Sequence, residues 1–513
     1  MTSTATTTPL DLTGDPLTID QVEAVARSHR PVRIAPAAEA RLAASRSALE
    51  TALGVQGAIY GVNTGFGSLG RTRIQDNDLR DVQRNLLRSH AAGVGEPLPE
   101  PVVRAMLLLL AASLSRGHSG VRPAVAHQVV GLLNAGVTPV VPGVGSVGAS
   151  GDLAPLAHAC LVLIGEGHAR YRGQSMPGGD ALKAAGLAPL TLEAKEGLAL
   201  INGTHLMAAQ ASLILADVQR LTDAALCAAA MSIDACRGTD AFLDDRVHIA
   251  RNQPGQREAA RRLRELIAGS QIIPSHLIND PRVQDPYSLR CAPQVLGAAL
   301  DAVAYVRAAV EHELGAVTDN PLVFTGESAD SHRAVVSAGN FHGMPIAIPM
   351  DVLTIALSHI AGIAERRVYF ILAASDSENP LNAHLSPQPG LHSGLMITQY
   401  TAAACCNEII TLATPASVSN IPTSAGMEDY NSFGPRAAAK ARRATDLCTA
   451  VVSIELLCAA EAIEYQRPLR SGQGVERAHA LVRSAVPKLT ADRPPSPDIE
   501  AIAGLIRAGG FAG

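Results

Sequence analysis

Residues 142–156 read PGVGSVGASGDLAPL, and the reading given to them decides the fold. Gly143, Gly145 and Gly148 spell G-x-G-x-x-G, the spacing of a dinucleotide-binding turn. Such a turn needs a strand before it, a helix opening within it and an acid at the end of a following strand. The preceding VTPVVP (137–142) is a poor strand and puts Pro142 at the junction. The following segment reads as helix and then IGEGHARYRG, with no convincing second strand. This excludes a nucleotide-binding sheet. The loop is then either a glycine-rich turn between helices or a device for chemistry on its own backbone.

Outward from the loop, the chain reads as helices. LTIDQVEAVARS opens the first, with Asp20 in its first turn, and 37–53 is an alanine-rich second. The glycines of IYGVNTGFGSLG (59–70) make a loop. From about residue 190 the segments lengthen: 204–235 contains no Gly or Pro, and 292–314, 350–372, 394–413 and 436–466 are similar. Broad apolar faces rich in alanine predict close side-by-side packing in a bundle of long helices. Strand signals are confined to VTPVVP and AVVSAG (334–339). The expected class is mainly α. It divides into a flexible tail (1–16), an N-terminal domain carrying the glycine loop (17–203), a central long-helix bundle (204–480) and a C-terminal helical segment (481–513).

Composition narrows the function. Hydrophobic residues make up 47% and charged residues 17%, which suits a chain that buries much surface, including surface between subunits. A net charge of −5 with no basic block argues against nucleic acid. The eight cysteines form no C-x-x-C pair and read as buried thiols of a reducing compartment. The N-terminus is polar without an apolar core, and the strongly apolar run 105–114 is too short for a bilayer, so the expected location is the cytoplasm, away from membranes. No metal site is expected.

Ala149-Ser150-Gly151 fits the chemical reading. Addition of the Gly151 nitrogen to the Ala149 carbonyl closes a five-membered ring. Loss of water gives an imidazolone, and loss of the Ser150 hydroxyl leaves an exocyclic methylene. Glycine at 151 allows close approach and unusual torsions, alanine at 149 is small, and serine at 150 supplies the leaving hydroxyl. The product is an electrophile made from the chain, so no external cofactor is required.

GSVGASGDLAPLAH resembles the signature of the aromatic amino acid ammonia-lyases, which include histidine, phenylalanine and tyrosine ammonia-lyases and the related 2,3-aminomutases. YGVNTGFG (60–67), SHAAGVG (89–95), INGT (201–204), QDPYSLRC (284–291), TDNPLVF (318–324), GNFHG (339–343) and PTSAGMEDYNSFG (422–434) match family blocks in order, over about residues 20–480. The resemblance implies the family's 4-methylideneimidazol-5-one group (MIO) at Ala149-Ser150-Gly151, removal of ammonia from an aromatic L-amino acid, and a homotetramer with shared active sites.

It also implies roles. Tyr60 is the base for the β proton and must be drawn toward phenolate by positive charge or dipoles, for which the helix after Gly151 is a candidate. Arg290 clamps the substrate carboxylate. Tyr287, Asn202 and Gln284 hydrogen-bond the electrophile or the substrate, and Phe341 packs beside a ring. Glu428 accepts from an imidazole N–H or receives the departing ammonium's proton.

For the substrate, Ser89-His90, Glu428 and Met396 resemble histidase positions, although some tyrosine aminomutases also carry Ser-His. His205, Gly343-Met344, Met427 and Tyr430-Asn431 depart from that pattern. The favoured reaction is L-histidine to urocanate. The alternatives are a tyrosine or phenylalanine ammonia-lyase and an aminomutase.

Overall fold

A computed structural model describes residues 8–55, 58–70, 72–278, 280, 282–326, 334–376 and 379–512. Helices dominate these residues. His205–Ala235, Met344–Ala373 and Gly434–Glu464 each run 30 residues or more, and Ala292–Glu313 runs 22. The long-helix expectation therefore holds. Met344–Ala373 starts before the segment anticipated for it and runs through Pro349.

The chain folds into two compact units, neither continuous in sequence. One comprises residues 1–213, 307–350 and 415–439, the other 214–306, 351–414 and 440–513. The segments expected from sequence, cut at 16/17, 203/204 and 480/481, are continuous. These units are not, because a dividing point falls within each of the four long helices.

In the first unit the N-terminal segment corrects the loose-tail expectation. Leu10–Leu12 pairs in parallel with Val32–Ile34, with Leu10 and Leu12 buried on one face. Residues 1–7 of that segment lie outside the described residues. The helix Ile19–Arg27 then opens with a capping box: the Gln21 N–H donates to Thr18 Oγ (3.2 Å) and the Thr18 N–H to Gln21 Oε1 (2.9 Å).

Further strands lie where the sequence signals none. Val94–Pro97 pairs antiparallel with Pro142–Val144. His168–Tyr171 and Gln174–Pro177 form a hairpin whose Arg172 (φ +49°) and Gly173 (φ +78°) are both left-handed, as a two-residue turn of that hand requires.

The second unit packs helices through small side chains. Ala441, Ala444, Cys448 and Val452 on one helix are wholly buried. Arg367 and Glu455 form a buried ion pair (Nε–Oε1 2.5 Å, Nη2–Oε2 2.9 Å), and Ser232 Oγ donates to Glu455 at 2.7 Å. Removing one partner of such a pair leaves an uncompensated charge in the core. All eight cysteines are free, five buried and three partly so. Met344–Ala373 is long and apolar enough to cross a membrane, contrary to the expectation from residues 105–114. Two thirds of its apolar window is buried inside the protein, as in a core helix.

Candidate active site

The glycine loop is held by its backbone. Gly148 (φ +66°) and Gly151 (φ +72°) are left-handed, where a side chain is strained. A methyl group at Gly151 would lie 2.1 Å from the Gly203 carbonyl oxygen, and the Asp152 N–H donates to that same oxygen at 2.7 Å. The next helix begins only at Leu153, so no glycine of the loop opens it.

The Asp152 carboxylate turns away from its own helix. Its Oδ2 accepts from the Leu206 and Met207 N–H groups (2.8 and 3.1 Å) in the first turn of His205–Ala235, and its Oδ1 from Ser146 Oγ (3.1 Å). Burial pushes its pKa up to about 7 against these donors. Among the described residues no hydrogen bond engages the Gly151 nitrogen or the Ala149 oxygen, the amide groups that ring closure would join.

A cavity of about 520 Å³ opens over Ala149 and Ser150, and every residue lining it belongs to the first unit. Tyr60, Gly67, Ser68 and Gly70 come from the glycine-containing loop, and Asn202 from the turn ahead of the long helix. Asn320, Ser337, Ala338, Phe341 and His342 form a second wall, and Met427, Glu428, Asp429 and Tyr430 a third.

Ser150 Oγ donates to Glu428 Oε1 at 2.7 Å, and Thr423 Oγ1 donates to Oε2 at 2.8 Å, so both carboxylate oxygens are held. The Tyr60 phenolic oxygen accepts the Gly67 N–H at 2.9 Å. Gly70 makes room for that ring, since a methyl there would lie 2.9 Å from Tyr60 Cε2. Asn202 is buried, and its Oδ1 has no partner among the described residues. Such an atom has lost its water without replacement, a cost that a bound group with a donor would relieve.

The structure thus brings Tyr60, Ala149, Ser150, Asn202, Phe341 and Glu428 to one cavity, with Gly151 in the loop beside it. His90 ends the helix Leu79–His90, and its Nδ1 lies 3.0 Å from Ser89 Oγ. It does not line the cavity. Burial lowers its pKa and the nearby Glu428 charge opposes the shift.

Four expected residues, Gln284, Tyr287, Arg290 and Met396, are not among those lining the cavity. Arg290 donates from Nη2 to Gln284 Oε1 (2.7 Å) and from Nε to the Asp285 carbonyl (2.9 Å), and its guanidinium lies 4.6 Å from the Tyr287 ring centroid. Tyr287 is 69% exposed. Met396 starts the helix Met396–Leu412 and is partly buried. All four belong to the second unit, and among the described residues lining the cavity there is no lysine or arginine.

The helix Leu153–Leu161, the expected dipole beside Tyr60, contributes no lining residue. Of the positions used to judge the substrate, Met427 and Tyr430 line the cavity, whereas His205, Gly343, Met344 and Asn431 do not. His205 is buried, and burial with the nearby Arg116 charge holds it down to about 3.

His342, Asn320 and Asp429 line the cavity without having been singled out. Each stands in a quoted block, but a block match does not say which side chains turn inward. The His342 Nε2 lies 3.0 Å from the Tyr430 carbonyl oxygen, and the Met344 N–H donates to its Nδ1 at 3.4 Å. Asn320 Oδ1 accepts from the Ala338 N–H at 2.7 Å and braces the second wall.

The family model described as aromatic amino acid lyase matches residues 17–484. The histidine ammonia-lyase of Sorangium cellulosum is 48% identical over 502 residues, covering 97% of either chain. Among solved structures, the histidine ammonia-lyase of Trypanosoma cruzi is 37% identical with a TM-score of 0.90, over 98% of this chain and 94% of that one. The tyrosine aminomutase of Streptomyces globisporus is 34% identical with a TM-score of 0.91, over 98% of both chains.

Proposed function

The chain belongs to the aromatic amino acid lyase family, and from that premise we propose that it eliminates ammonia from L-histidine to give urocanate at an MIO group closed from Ala149-Ser150-Gly151. The observation that carries this reading is the Glu428 carboxylate in the cavity lining, 2.7 Å from Ser150 Oγ, an acceptor beside the reactive tripeptide for an imidazole N–H. The 48% identity to a histidine ammonia-lyase over nearly the whole chain supports the same substrate.

The residues present fit the group. Gly151 has the torsion and lacks the side chain, and among the described residues no hydrogen bond holds the Gly151 nitrogen or the Ala149 carbonyl against ring closure, while the unpartnered Asn202 Oδ1 suits a donor on the substrate. Once formed, MIO supplies a strong electrophile for the substrate. Tyr60 takes the β proton at its phenolate oxygen, which the Gly67 N–H holds in place. Glu428 accepts an N–H from the substrate, and Phe341 packs against its ring.

The substrate carboxylate needs a cation that the cavity's own lining lacks. Arg290, with Gln284 and the exposed Tyr287, supplies it from another copy of the chain in a homotetramer, and Met396 joins the ring pocket.

Product formation followed in the ultraviolet with L-histidine, L-tyrosine and L-phenylalanine in parallel tests the substrate. Urocanate alone is expected. Coumarate or cinnamate as the main product would reassign the site to a tyrosine or phenylalanine lyase, and a β-amino acid to an aminomutase. The intact chain is expected to weigh less than its sequence by two water molecules, and a full-weight active protein would refute ring closure.

A further inference from the structure

The segments that carry Ser150, Phe341 with His342, and Glu428 each include a glycine at one junction: Gly148, Gly343 and Gly434. All three converge on Met207, in the first turn of His205–Ala235 and wholly buried. A methyl group at Gly343 would lie 2.6 Å from both Met207 Cε and Ser432 Oγ, and 2.7 Å from the Met207 sulfur. One at Gly434 would lie 2.7 Å from the same sulfur, whereas one at Gly148 would meet Ser432 Oγ first and lie at ordinary contact distance, 3.4 Å, from Cε.

The backbone explains glycine at Gly148, where φ is +66°. It does not at Gly343 or Gly434, whose φ values lie outside the left-handed region. At those two positions the missing side chain is the space that the thioether fills. An unbranched, polarizable side chain suits such an irregular gap.

Polar contacts close the same junction. The Gly148 carbonyl accepts the Gly343 N–H (3.1 Å) and Ser432 Oγ (2.9 Å), the Phe433 N–H donates to the Val147 carbonyl (2.9 Å), and the Met207 N–H donates to Asp152 (3.1 Å).

We propose that Met207 is a positioning residue that sets the spacing of Ser150, His342 and Glu428 by wedging between Gly148, Gly343 and Gly434. The inference rests on the reading of this cavity as the reactive site. It makes Gly343 a partner of Met207 and not a reader of the substrate ring, the use suggested by sequence alone. Misplacement of reacting groups by about 1 Å costs roughly a hundredfold in rate, so the wedge acts on kcat more than on KM.

The test is a double-mutant cycle of Gly343→Ala and Met207→Ala in the full-length enzyme, read by kcat, KM, amino acid preference and intact mass. Gly343→Ala is expected to lower kcat by about thirtyfold with KM within about threefold, and by the same factor on any other amino acid accepted. Met207→Ala alone loosens the junction and lowers kcat as well. Together, the new methyl occupies space that the thioether left and meets only Ser432 Oγ, which a single side-chain rotation moves aside, and the double variant exceeds both single variants.

Losses that multiply, a Gly343→Ala enzyme within twofold of wild type, or a changed amino acid preference would overturn the proposal. Should Gly343→Ala not fold, a soluble double variant supports it and an insoluble one overturns it. If the wild type turns over none of the three amino acids, the functional reading fails. The cycle is then read by mass, the fraction of chains lighter by two waters falling in Gly343→Ala and returning in the double variant, or else the wedge is refuted.

Discussion

Ser150→Ala is expected to lower kcat by about 10⁴-fold, because the variant cannot expel a hydroxyl and so cannot form the electrophile; that factor corresponds to roughly 5.4 kcal/mol of activation free energy. The size of the loss separates two roles for Ser150. Its hydroxyl also donates to Glu428 at 2.7 Å, and a hydrogen bond to a charged group contributes about 1.5–3 kcal/mol, or roughly a hundredfold at most. A loss no greater than that would assign Ser150 to orienting Glu428 and remove it from the chemistry. A purified variant keeping full activity would sink the MIO reading altogether. Initial rates on L-histidine and the intact mass of the same sample give the answer.

Tyr60→Phe is expected to reduce kcat by about 10²–10⁴-fold, the range for removal of a general base, with KM changed less than about threefold. Phenylalanine keeps the ring packed over Gly70, where there is no side chain to displace. It deletes only the oxygen and leaves the Gly67 N–H without its acceptor. The lost bond lies in a partly buried loop and contributes about 1 kcal/mol, so the melting temperature should move by a few degrees at most. A variant that retains most of its turnover would move the base to another residue. Glu428 is the next group to examine, since it shares the cavity with Tyr60.

The sequence disclosed the long helices because their alanine-rich runs lack breakers over many turns. It did not disclose Leu10–Leu12 or the His168–Pro177 hairpin, whose strands of three and four residues carry too few alternations to stand out. Within the site, the quoted blocks contained every residue that meets Ser150 in the cavity from the second and third walls, apart from Ser337 and Ala338, and Ser68 and Gly70 directly follow the first block. What was not legible is direction. Two neighbours in one block, such as Phe341 and Gly343, do different things, one lining the cavity and the other yielding space to Met207. The outward cluster of Gln284, Tyr287 and Arg290 shares its block pattern with residues that point inward, and no local spacing distinguishes the two cases.

The bond between Ser150 and Glu428 joins residues 278 positions apart, and it has a consequence in time. A ribosome delivers Ala149-Ser150-Gly151 first, then Gly203, and only much later the segment from Thr423 to Gly434 that completes the junction around Gly148. A nascent chain therefore carries the tripeptide through most of its synthesis without the walls that shape it. An electrophile appearing in that interval would be open to every thiol in the surrounding fluid. If the loop closes its ring only against that last wall, the reactive group would form no earlier than the chain that must shield it.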